Sequence, residues 1–132
     1  MDAFILAIFQ LIGAVGIVGF WIYFFLVENK NPDNSEVYLA FERSFPVPDL
    51  LWLTPILIVA AMGLIFGGWH GIFFTIAAGS ALIFLGLLDI SFNIQQGGYK
   101  KKISDAIMNF IINGFCIALG ISCLVFASQH LL

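Results

Sequence analysis

Asp89 stands inside the apolar run GLLDISFN, residues 86–93, and Asn93 follows it four residues later. Asn109 and Asn113 repeat the spacing in the next apolar run. On a helix, positions i and i+4 share a face, so each pair projects two hydrogen-bonding side chains to one side. One carboxylate and three carboxamides suit ligand recognition, or hydrogen bonding between helices. Glu42 and Arg43 add an adjacent acid and cation. With Asp89 they form the acid, cation and base that an enzyme acting on a lipophilic substrate requires. No nucleophile here has an obvious activating base, and no dinucleotide or P-loop motif is present, so the sequence names no catalytic residue.

The remaining candidates for chemistry are weaker. Cys116 and Cys123 lie seven apart in one apolar run, on one helical face and too far apart for a disulfide. They read as small buried residues. His70 and His130 sit at unrelated positions and supply only two ligands, which does not make a tetrahedral metal site. Neither a metal nor another cofactor is expected.

The elements that must position these residues follow from composition. Of the 132 residues, 61% are hydrophobic and only 10% charged, against roughly a quarter charged in an average soluble domain. Fifteen phenylalanines facing water would be an aggregation hazard. The expected fold is therefore all-α: one polytopic membrane domain, a bundle of four transmembrane helices, with the lipid bilayer as its solvent. Spans of about 20 apolar residues are expected over 4–27, 50–66, 72–94 and 106–127. The first has no positive n-region and is too long for a signal peptide. The second is expected to use Asp49 as its N-cap, with Pro55 loosening its first turns at the expense of the Leu51 carbonyl's helical partner.

Four spans put loops 28–49 and 95–105 on one side, and the termini with the turn at 67–71 on the other. Lys30, Arg43, Lys100, Lys101 and Lys102 all fall on the first side. By the positive-inside rule that side is cytoplasmic and both termini are outside a plasma (inner) membrane. Trp52, Trp69 and Tyr99 lie near span ends, where the headgroup region favours aromatic rings. The first loop holds Glu28, Asp33, Glu36, Glu42 and Asp49, within a net charge of −3, a face unsuited to nucleic acid.

In that loop Val37, Tyr38, Phe41 and Phe45 recur at helical spacing after Asp33, Asn34 and Ser35. They predict a short amphipathic interfacial helix over 35–45, with Glu36 and Arg43 near the opposite side and Glu42 on the flank. Pro46 is expected to end this helix, and 46–48 to run as an extended connector.

Counting at about 1.5 Å per residue places Asp89, Asn93, Asn109 and Asn113 at one depth with Thr54, Trp21 and Tyr23, just inside the cytoplasmic boundary. A carboxylate facing hydrocarbon costs roughly 2.5–3.5 kcal/mol, so Asp89 is expected to face the bundle interior. The exterior half of every span reads as apolar, with no second polar station. Gly63-x-x-x-Gly67, Ala77-x-x-x-Ala81, Gly114-x-x-x-Ala118 and Gly13, Gly16 and Gly19 supply small residues for close helix approach, within a protomer or in a homo-oligomer.

The function expected from this pattern is binding. A cytoplasm-facing polar pocket, built from Asp89, Asn93, Asn109, Asn113, Thr54, Trp21 and Tyr23 and lidded by Glu42 and Arg43, would receive a small ligand, a lipid headgroup or a membrane partner. The alternatives are a subunit of an oligomeric channel or transporter, and a membrane enzyme.

Overall fold

A computed structural model describes residues 1–97 and 102–131. Tyr99, Lys100 and Lys101, assigned above to the headgroup region and the positive side, lie outside the described residues. The described chain is all-helical, and four of its helical stretches are long and apolar enough to cross a membrane.

The helices begin and end where local chemistry dictates. α1 (Ala3–Leu26) starts on Asp2, whose carboxylate accepts from the Phe4 N–H. α2 (Glu36–Glu42) starts on Ser35, whose hydroxyl accepts from the Tyr38 N–H at 3.1 Å. A single turn, α3 (Pro46–Pro48), leads through a π-helical turn (Asp49–Leu53) into α4 (Thr54–Phe66). Gly67 then takes the left-handed conformation (φ 73°), which lets its N–H close on the Gly63 carbonyl and ends α4. The reversal therefore needs only Gly67 and Gly68. Trp69, His70 and Gly71, read as part of the turn, already belong to α5 (Trp69–Gln96). α6 (Ile103–Gln129) completes the bundle.

Two expectations about the first loop are corrected. The stretch 46–48 is helical, and Phe45 is itself in the right-handed helical region (φ −96°, ψ −24°). The proline ring fixes φ near the helical value, and in a first turn the missing N–H would have no partner anyway. Pro46 and Pro48 both occupy that first turn, so they start a helix instead of preventing one. Nor does Asp49 cap the second span, since no side-chain cap bond forms there. The chain widens at that point to an i→i+5 turn, with the Thr54 N–H on the Asp49 carbonyl, directly before Pro55. A π-turn is a known accommodation of such a helix defect.

The stripe expected of the loop helix packs at Tyr38 and Phe45, which lie against the Trp21, Phe24 and Leu39 cluster, and at Phe41, but not at Val37. Leu39 and Glu42 are its buried residues and Val37 is exposed. Leu39 packs with Trp21 and Phe24 of α1, while Phe41 stacks on Phe92 of α5 with centroids 3.8 Å apart and planes 3° from parallel. Aromatic contacts on both flanks turn Glu42 up into the bundle.

The bundle packs in chain order, α1 on α4, α4 on α5 and α5 on α6, with α6 touching α1 only lightly. α5 and α6 approach closely along their length. A Cβ on Gly79 would lie 2.9 Å from the Gly120 carbonyl oxygen, and one on Gly120 would lie 2.8 Å from that of Gly79. Gly63 of α4 meets Gly71 of α5 backbone to backbone. Gly63 comes from an expected small-residue repeat, whereas Gly114, also expected at a crossing, meets nothing within 4 Å. The main core, Leu6, Ala14, Leu53, Ile56, Leu57, Ala78, Leu82, Leu119, Cys123 and Phe126, runs from the end nearer the termini to the start of α4.

Candidate functional site

At the α2 end, the loosely joined seam between α1 and α6 opens into a half-enclosed cavity of about 520 Å³. α1 contributes Trp21 and Tyr23, α5 Asp89, α6 Asn109 and Asn113, and α2 closes the end with Tyr38 and Glu42. Most of the wall is apolar, and the polar groups gather toward α2. Gly16 belongs to this wall, and a Cβ built there would meet no atom within 4 Å.

Asp89 is held from two sides. Asn93 donates to its carboxylate at 3.2 Å and to its backbone carbonyl at 2.9 Å. Asn113 of α6 hydrogen-bonds the same carboxyl. The acid thus both ties α5 to α6 and faces the cavity. Asn93 is buried behind it and is not part of the wall, whereas Asn109 is half-buried and lines the cavity.

Glu42 is only 9% exposed. Neither a hydrogen bond nor an ion pair to its carboxylate is present among the described residues, and Glu42 lines the cavity. Burying an ion without a partner is costly, so this carboxylate is the least satisfied group of the site. Arg43 turns away from it. Its Nε donates to the Asn29 side chain at 2.8 Å on the exposed side of the loop, and it is not part of the wall.

Two groups escaped the sequence reading. Asp49, 7% exposed, accepts a hydrogen bond from the Trp21 indole at 2.9 Å and lines the cavity. The π-turn that it opens brings it there, and only Asp49's position beside an apolar run hinted at burial. Tyr38 donates to Glu28 at 3.1 Å, and Asn34 donates to the same carboxylate at 3.2 Å, pinning α2 and the loop beneath the cavity. Thr54, expected in the layer, lies elsewhere: its hydroxyl is buried without a hydrogen-bond partner and does not reach the cavity.

The apolar reading of the opposite half is also corrected. Gln10 of α1 is fully buried, and its amide donates to Thr75 Oγ1 at 3.0 Å and contacts Cys123 Sγ at 3.6 Å. A second polar station therefore joins α1, α5 and α6, invisible in sequence because each helix gives it one uncharged residue. It is closed, with Leu6 and Leu57 fully buried in the same half. His130 is engaged locally, its Nδ1 2.8 Å from the Phe126 carbonyl and its ring stacked on Phe126.

Comparison with models of known families, with curated proteins and with solved structures finds no match to this chain.

Proposed function

We propose that this chain is a ligand-binding membrane protein whose cavity opens toward the cytoplasm and takes a small amphiphile. The cavity volume lies within the range of small-molecule sites, which combine mostly apolar walls with a few placed polar groups. The observation that carries the reading is Glu42, buried in the wall of a ligand-sized space with no hydrogen-bonding partner among the described residues. A ligand's polar head would supply that partner, while its apolar body lies between α1 and α6. The loose seam gives a lateral route from the bilayer. The positive-inside distribution of Lys30, Arg43 and Lys102 supports the cytoplasmic orientation.

Native mass spectrometry of detergent-released protein, wild type beside Gly16→Phe, tests this reading. The variant places a ring in the open space beside Gly16. Wild type is expected to retain a non-protein mass that the variant loses. Bare protein in both, or equal retention by both, would overturn the reading.

A further inference from the structure

We infer that the ligand is an organic cation, an ammonium group carried on an apolar body. This rests on the cavity being a ligand site and goes on to assign its ligand class. Three carboxylates, Glu42, Asp49 and Asp89, line the α2 end of the cavity, and among the described residues no lysine, arginine or histidine lines it. Asp49 and Asp89 already accept hydrogen bonds from Trp21 and from Asn93 and Asn113. Glu42 does not, although it is nine-tenths buried and lines the space.

Among the described residues, the cations are directed elsewhere. Arg43 is engaged with Asn29, and Lys30 and Lys102 are exposed. An anionic head would meet three acids here, whereas a head that presents an ammonium finds acceptors and no competing basic side chain among the described wall residues. An ammonium donates hydrogen bonds that Glu42 lacks, and charge-assisted bonds of this kind are the stronger ones. A bare metal ion fits less well, because among the described residues no three His, Cys, Asp or Glu side chains converge closely enough to hold one. The aromatic rings of Phe20, Trp21, Tyr38 and Phe45 at the same end add faces that attract a cation. Beyond them, Ile12, Ile17, Leu82 and Phe115 receive an apolar body.

The same chemistry is offered by a free lipophilic amine and by an amine-bearing lipid, and the test separates them. The full chain is reconstituted in phosphatidylcholine nanodiscs with Trp52 and Trp69, both exposed, replaced by phenylalanine, so that Trp21 fluorescence reports on the cavity. The probes are 4-phenylbutylammonium, 4-phenylbutanol and 4-phenylbutanoate, which share one body and differ in head charge. The ammonium is expected to bind about tenfold tighter than the alcohol, the scale of one charge-assisted hydrogen bond, and the carboxylate weakest. Glu42→Gln should remove the ammonium's tenfold advantage over the alcohol. If that variant does not fold, the ranking of the three probes on the unsubstituted site decides.

Weaker ammonium binding in discs that also contain phosphatidylethanolamine would identify a lipid ammonium as the occupant, and unchanged binding a free amine. Equal binding of the three probes, or preference for the alcohol or carboxylate, overturns the cation assignment and leaves the ligand site standing. Absence of ammonium binding overturns the assignment as well. In that case a retained mass in the native spectrum preserves the site, and a bare spectrum overturns both.

Discussion

The two halves of the bundle are built from the same helices and handle polar residues in opposite ways. Toward the termini, Gly79 and Gly120 bring α5 and α6 into backbone contact, and the polar trio of Gln10, Thr75 and Cys123 is sealed in with no space around it. Toward α2, Gly16 faces open space, α1 stands off α6, and carboxylates line the gap. Small residues thus do two jobs in one bundle. Where two face each other they draw the helices together; where one faces nothing it leaves room. Membrane helices lack the hydrophobic drive that would collapse such a gap in water, so an open half persists beside a closed one.

The largest effect should come from closing the closed half further. In Gly120→Leu the new Cβ would lie 2.8 Å from the Gly79 carbonyl oxygen and 2.7 Å from Ile83 Cγ1, and the backbone oxygen cannot yield. A loss of about 3 kcal/mol is expected, read as detergent-dependent thermal unfolding, with Gly114→Leu, where a Cβ meets nothing within 4 Å, as the comparison.

Next in size is the contact that binds the π-turn to α1. Trp21→Phe leaves the buried Asp49 carboxylate without its indole donor and should cost about 2 kcal/mol. In a double-mutant cycle with Asp49→Leu, the double variant should lose less than the two single variants together; strict additivity would mean that the 2.9 Å contact is energetically idle.

Gln10→Leu should be nearly neutral, within about 1 kcal/mol, because it removes a buried Oε1 that has no partner along with the amide's bonds to Thr75 and Cys123. A marked loss in the same unfolding assay would make the closed station a principal source of stability. The smallest stability change belongs to the open half. Gly16→Phe should stay within about 0.5 kcal/mol of wild type while abolishing ligand retention, separating stability from function along the same helix.

How legible these halves are in the sequence follows from charge and spacing. The four apolar helices are plain from run length. Asp89, Asn109, Asn113, Trp21 and Tyr23, chosen by depth from separate helices, line one cavity with Glu42, because a polar residue in an apolar run has few places to go. Asp49 reads as a cap in the sequence, since nothing local announces the π-turn that redirects it. Arg43 and Glu42 are neighbours in sequence, yet α2 points one out to Asn29 and the other inward, a choice made by Leu39 and Phe41 packing against α1 and α5. Gln10 carries no signal in the sequence because its partners lie 65 and 113 residues away. The pairing of Gly79 with Gly120 is equally hidden, since neither belongs to a small-x-x-x-small repeat singled out in its own helix.

The two native cysteines test the contrast between the halves most directly. Cys116 lines the cavity and Cys123 is fully buried against Gln10. Exposing the folded protein in nanodiscs to methylmercury, with mass readout of each cysteine-bearing peptide over time, compares access to both within one chain. Modification of Cys116 well ahead of Cys123, slowed by Gly16→Phe at Cys116 alone, is the predicted result. Equal rates at the two cysteines, or a Cys116 rate that Gly16→Phe leaves unchanged, would contradict an open, ligand-sized cavity at the α2 end.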